Sequence, residues 1–163
     1  MVRYFFFGIE WRGMSCPALF LVLAMAVTAC VTDRDEPEWS LAPGDRVPEF
    51  SVTLDDGSVF DSRRDCPSVI VFFNTACPDC RRELPRLQHY YDSIAEVASP
   101  APVLVCIARE EDGESIARYW ADNGLTMPYS AQDDRRIYSM FASSGIPRVY
   151  TVGSDGLITS VRE

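Results

Sequence analysis

The chain contains no lysine. All 15 of its basic residues are arginine, and 24 carboxylates leave a net charge of −9 over 163 residues. Within residues 1–29 Arg3 and Arg12 face a single acid, Glu10, so loss of that stretch brings the remainder to −10. A surface that grips a phosphate backbone needs a basic stripe. Here the arginines are scattered among more numerous acids, which argues against nucleic acid as a partner. Histidine is almost as scarce: the one present, His89, falls well inside a helical stretch and reads as a surface residue, not a metal ligand. A second closely spaced cysteine pair is also missing. Of Cys16, Cys30, Cys66, Cys77, Cys80 and Cys106, only Cys77 and Cys80 stand in a recognisable pair, so a four-thiolate zinc site has no second half. What the chain does hold is 47% hydrophobic residues, enough for one domain with a real core.

The first segment reads as an address. Arg3 and Arg12 precede an apolar run from Ala18 to Val27 that closes on Thr28, Ala29 and Cys30. A short apolar run behind positive charge, ending in small residues, is the pattern of an export signal. It falls short of the about 20 apolar residues that cross a bilayer. Val27-Thr28-Ala29-Cys30 resembles a bacterial lipobox, which implies cleavage after Ala29, acylation of Cys30 and a cell-envelope, periplasm-facing protein on a lipid anchor. Cys16 would leave with the signal. The expected division is a signal peptide over 1–29, a flexible acidic tether over 30–42 and a folded domain over 43–163.

Within that domain, alternation from Phe50 to Leu54, a turn signal at Asp55-Asp56-Gly57 and a return at Ser58 to Phe60 predict a β-hairpin. Ser68 to Phe73 and Val103 to Ala108 are continuous apolar runs of the kind buried on both faces of a sheet. Leu84, Leu87, Tyr91 and Ile94 recur at helical spacing between them, so strand, helix and strand predict a βαβ unit with parallel strands. A second helix is expected from Glu114 to Asn123 with Gly124 as its stop, and a third, shorter one from Asp133 to Phe141. Arg148 to Val152, a turn at Gly153 to Gly156, and Leu157 to Val161 predict a terminal hairpin. Tyr90, Tyr91, Trp120 and Phe141 are expected in the core or at its edge. Cys66 and Cys106 are expected to be free, because strand geometry sets them farther apart than the ~7 Å a disulfide spans.

A bare CxxC is a weak motif, and its placement carries the weight. Cys77 follows a buried strand and opens a long helix, where unpaired backbone N–H groups and the helix dipole favour negative charge on sulfur. Pro78 suits the first helical position, since its missing N–H would have had no partner. Cys80, one turn deeper, is expected to be more buried and to resolve a mixed disulfide at Cys77, with no metal and no organic cofactor. Asp79 between the sulfurs disfavours a thiolate, while Arg81 and Arg82 act the other way.

The segment from Phe72 to Pro85 resembles the active-site segment of TlpA-like thiol-disulfide oxidoreductases of the thioredoxin superfamily, in lipoprotein form. The resemblance runs from about Pro43 to Val161. It implies an α/β, thioredoxin-like fold: a central mixed β-sheet flanked by helices, extended by an N-terminal β-hairpin. Pro85 matches the helix-kinking proline of the superfamily. Gly145-Ile146-Pro147 matches its cis-proline loop, so Ile146 and Pro147 would hold substrate backbone. Glu83 matches a glutamate that assists proton transfer near the thiols, and Val71 stands where thioredoxins carry a buried Asp. Such domains usually finish with a helix, whereas this sequence stops at Glu163 just after its last strand, so an apolar face near Leu157 and Ile158 is expected to be wet.

The implied function is an extracytoplasmic oxidoreductase, a reductase of exported protein disulfides fed by a membrane electron donor of the DsbD or CcdA type. Three alternatives compete. A peroxidase shares the fold but needs Thr or Ser three residues before the reactive Cys, where this chain has Asn74, with Thr75 one place late. A copper chaperone of the Sco kind uses CxxxC and a distant His, and no His follows His89. The last alternative is a folded lipoprotein module without catalysis.

Overall fold

The computed structural model describes residues 38–97 and 101–163. Cys30 and the stretch expected to be a signal, residues 1–29, lie outside them. Strands β1 (Ser51–Thr53) and β2 (Val59–Asp61) form the expected antiparallel hairpin. Strand β3 (Ser68–Phe73) leads through a four-residue loop into helix α1 (Pro78–Val97), which returns to β4 (Val103–Ala108). Helix α2 (Gly113–Asn123) and the two-residue β5 (Tyr129–Ser130) follow, then β6 (Arg148–Val152) and β7 (Ile158–Arg162). The main sheet has the order β5-β4-β3-β6-β7. β3 pairs parallel with β4, as the βαβ reading requires, and antiparallel with β6, so the sheet is mixed. The strand that leads into the CxxC loop is central, and all six of its residues are buried.

Alternation along the strands feeds two cores. On one face Ile70, Phe72, Val105, Ile107, Tyr150 and Val152 meet Phe50, Val52 and Phe60 of the hairpin region and Tyr138 and Phe141 from the stretch before β6. Phe72 is the hub of an aromatic cluster, with ring centroids 4.8 Å from Phe141 and 5.4 Å from Tyr138. On the other face Val69, Val71, Phe73, Leu104 and Val149 meet Cys80, Leu84 and Leu87 of α1 and Ile116 and Trp120 of α2. Each large apolar side chain so buried is worth about 1.5–3 kcal/mol. Helix α2 is capped at both ends: the Asp112 carboxylate accepts from the Ser115 amide, and Gly124 closes it in the left-handed conformation at φ 63°.

Three expectations are corrected. The stretch from Asp133 to Phe141 is not an α-helix; it holds only a 3-10 turn at Tyr138–Met140. The Asp134 carboxylate accepts from the Arg136 amide two residues on, a local turn that competes with helix, and Tyr138 and Phe141 are drawn into the core. The region of Leu157 and Ile158 is not a wet apolar face: Ile158 is 1% exposed, and the segment before β1 covers it through the Arg46–Leu157 bridge and the Gly44 N–H on Ile158 O. On the α1 side of β6 and β7, Thr151 and Ser160 bond each other through their hydroxyls at 3.0 Å. Tyr90 is exposed rather than packed, while Trp120 and Phe141 are buried. Cys66 and Cys106 are free, and Val71, not a neighbour of Cys66, is the residue opposite Cys106.

Candidate active site

The loop between β3 and α1 is clamped from three directions. The Asn74 side chain donates to the Arg109 carbonyl at 3.0 Å and accepts from the Ala76 amide at 2.8 Å, while the Asn74 carbonyl takes the Cys77 N–H at 3.1 Å. The Glu111 carboxylate receives both the Thr75 amide, at 2.7 Å, and the Thr75 hydroxyl. Arg81 reaches back from the first turn of α1 to the Thr75 carbonyl. Glu111 lies just past the exit of β4, and sequence reasoning missed it. The available signal was the acid pair Glu110-Glu111 at the end of a strand parallel to the one carrying the CxxC.

This clamp presents two unlike sulfurs. Cys77 is half-buried, and its carbonyl accepts the Arg81 N–H that starts the helix, so the residue stands at the N-terminal end of α1. Cys80 is fully buried under Leu84 and Val71. Burial pushes the Cys80 thiol up to about 12, eased by a backbone contact from Asn74, raised again by Cys77 and eased by the positive charge of Arg109. Both cysteines are free thiols in the structure. Asp79 is exposed and paired with Arg82, which cancels much of its charge toward the sulfurs.

The loop before β6 faces Cys77. The Ile146–Pro147 peptide bond is cis. The Cys77 thiol donates to the Ile146 carbonyl at 3.6 Å. Beside them opens a cleft of about 480 Å³ floored by Ile146, Pro147 and Val149 and rimmed by Arg82, Glu83 and Arg162. Glu83 sits in this cleft with its side chain 21% exposed, 3.4 Å from Arg86 and 3.6 Å from Arg162. Its partners are therefore guanidinium groups and not a sulfur. The structure brings Cys77, Cys80, Ile146 and Pro147 together and sets Glu83 at the cleft wall. Among the described residues no three His, Cys, Asp or Glu side chains converge as a metal site.

A CxxC at the mouth of the helix that follows the central strand, opposed by a loop proline, on a mixed sheet of this order, defines a thioredoxin-like protein. The chain belongs to the AhpC/TSA family, which it matches over residues 43–161. It is similar to the solution structure of a candidate protein disulfide isomerase from Bacteroides thetaiotaomicron, at 25% identity and a TM-score of 0.67, with 77% of this chain and 83% of that one covered. A secreted Mycobacterium tuberculosis disulfide oxidoreductase homologous to Escherichia coli DsbE shares 25% identity at a TM-score of 0.57, covering 68% of this chain and 80% of that one. A thioredoxin-family thiol:disulfide interchange protein from Chlorobium tepidum has the same fold at 23% identity and a TM-score of 0.61, covering 76% and 88%. Comparison with curated proteins found no match.

Proposed function

We propose that this protein is an extracytoplasmic thiol-disulfide oxidoreductase that reduces disulfides of exported proteins. The observation that carries the reading is the asymmetry of the two sulfurs: Cys77 is open at a helix mouth, and Cys80 is buried directly behind it with its thiol held up to about 12. Cys77 attacks as thiolate, breaking a substrate disulfide; one substrate sulfur leaves and the other is held on Cys77. Cys80 then gives up its proton and attacks the Cys77 sulfur. The second substrate thiol departs, and a Cys77–Cys80 disulfide remains. Two electrons from outside the domain restore the dithiol, in our reading from a membrane donor of the DsbD or CcdA type.

The kinship with secreted disulfide oxidoreductases supports an envelope location. In the same reading Cys30 is the lipid anchor, residues 1–29 are the signal and 30–42 the tether of a domain over 43–163, the end of that tether being tied down where Trp39, Ser40 and Leu41 pair with Ser143, Ala142 and Phe141. Ile146 and Pro147 hold the substrate backbone, and Glu83 relays protons from the cleft wall.

Turbidimetric reduction of insulin with dithiothreitol tests the reading. The wild-type chain accelerates precipitation and Cys77→Ser abolishes the acceleration; undiminished activity in that variant rejects the mechanism. The peroxidase reading has less support at the site. Asn74 stands three before Cys77 with its side chain committed to Arg109 and Ala76, and the Thr75 hydroxyl is turned to Glu111. Peroxide consumption faster than by free thiol would favour it.

A further inference from the structure

Three consecutive carbonyls run along the loop before Pro147, and each has a different partner. Ser144 O accepts from the Arg148 Nε at 2.9 Å. Gly145 O accepts from the Tyr138 hydroxyl at 2.6 Å. Ile146 O is the one left for the Cys77 thiol. Arg148 is 6% exposed although it carries a full charge, and its guanidinium also pairs with Glu163. A cation so buried costs free energy unless its donors are used, and here one of them is spent on the loop. Gly145 lies flush against that guanidinium: a Cβ there would stand 3.1 Å from Nη2, and the residue holds φ +82°. Tyr138 is 1% exposed and its ring is fixed from below by Phe72.

We propose that Arg148 and Tyr138 are positioning residues that pin the Ser144 and Gly145 carbonyls, so that the Ile146 backbone is held against Cys77 where a polypeptide disulfide must dock. The inference rests on the oxidoreductase reading and deepens it by naming two residues, remote from the sulfurs, that set its preference among disulfides. Any chain joined to Cys77 in a mixed disulfide lies against residue 146. A peptide backbone extended there gains from a fixed edge of polar main-chain groups, as a strand gains from a sheet edge. A small disulfide without a backbone has no use for that edge. Pinning by side chains that do not touch the sulfur therefore favours polypeptide disulfides over small ones.

The test uses the full chain and two variants, Tyr138→Phe, which keeps the ring and removes one hydroxyl, and Arg148→Met. Backbone 15N order parameters at Gly145 and Ile146 should fall in both from rigid values near 0.85 toward about 0.6, with the rest of the sheet unchanged. The kcat/KM for insulin should fall about fivefold more than the second-order rate with a small aryl disulfide, as expected for one hydrogen bond lost from the docking geometry. The loss should lie in KM more than in kcat. Unchanged order parameters in both variants overturn the positioning role. A loosened loop with equal losses on insulin and the aryl disulfide overturns the link to polypeptide substrates. Failure of the wild-type chain to reduce either disulfide would refute the proposed function instead, and the order parameters would still decide the role of the two residues.

Discussion

Iodoacetamide reactivity of Cys80 is the sharpest consequence of the site. Only a thiolate is alkylated, and a free cysteine with its thiol near ~8.5 is about 10% ionised at pH 7.5. Cys80, pushed up to about 12 by burial, would have a thiolate fraction of about 3 × 10⁻⁵, some 3000-fold less. The more basic thiolate is also the better nucleophile; with a Brønsted slope of about 0.45 that recovers a factor of about 40. The net expectation is a reaction about two orders of magnitude slower than free cysteine, before burial of the sulfur slows it further. Cys77→Ala keeps the measurement clean, because Cys80 is then never hidden behind an alkylated neighbour, and burial, the largest cause of its high value, remains. Rates are read by fragment-ion mass spectrometry across pH 7 to 10. They should rise about tenfold per pH unit without levelling, since every pH in the window lies below the Cys80 value. The same proton ties stability to pH. The folded dithiol keeps a proton that the unfolded chain releases near ~8.5, so the reduced protein loses stability as pH rises from about 9 toward about 12. Its contribution is fully present below that window. A Cys80 rate within tenfold of free cysteine at pH 7.5, or a plateau by pH 9.5, would refute the assignment of a buried, protonated resolving thiol.

Other perturbations follow from the clamps. Glu111→Ala removes the acceptor of two Thr75 hydrogen bonds and should cost about 2 kcal/mol in urea denaturation, with Glu111→Gln losing less. Gly145→Ala should cost more than Gly57→Ala: both sites have positive φ, +82° and +83°, worth about 1–2 kcal/mol, but only position 145 has a guanidinium 3.1 Å from the new methyl. Equal losses in parallel denaturation curves would show that Arg148 yields freely. Arg109→Met removes a cation that eases Cys80 ionisation; rapid-quench measurement should find the mixed disulfide at Cys77 resolved about threefold more slowly, with its formation unaffected.

Much of this fold was legible because its determinants are local. Ser68 to Phe73 and Val103 to Ala108 are buried on both faces and so read as unbroken apolar runs. Pro78 and the spacing of Leu84 and Leu87 mark α1 without reference to anything distant. Gly124 announced the end of α2 because a left-handed stop favours glycine. The stretch from Asp133 to Phe141 misled for the opposite reason. Its helical spacing of Ile137, Tyr138 and Phe141 is real, but Tyr138 and Phe141 answer to Phe72 and Phe50 in the core on one face of the sheet, and the Asp134 turn sets the backbone. β5 was invisible, since two residues carry no periodicity and its pairing with Cys106 and Ile107 is wholly tertiary.

The site divides along the same line. Cys77 and Cys80 could be found because the helix start that carries one and the burial of the other are both written within a dozen residues of chain. The side chains that hold this pair in register come from elsewhere: Glu111 from the exit of β4, Tyr138 from a 3-10 turn, and Arg148 from the first position of β6. In sequence each looks like an ordinary surface charge or core aromatic. Only the parallel register of β3 with β4 and the antiparallel register of β3 with β6 bring them to one end of the sheet. Phe73 pairs with Ala108 and Phe72 with Arg148, so the two strands beside the reactive one deliver their clamps at the level of Asn74 to Cys77. A one-residue slip in either pairing would turn every side chain of that strand to the opposite face. It would move Glu111 or Arg148 off the loop it secures while leaving the CxxC motif itself untouched. The chemistry of this protein is thus encoded locally, and the geometry that the chemistry needs is encoded in strand register.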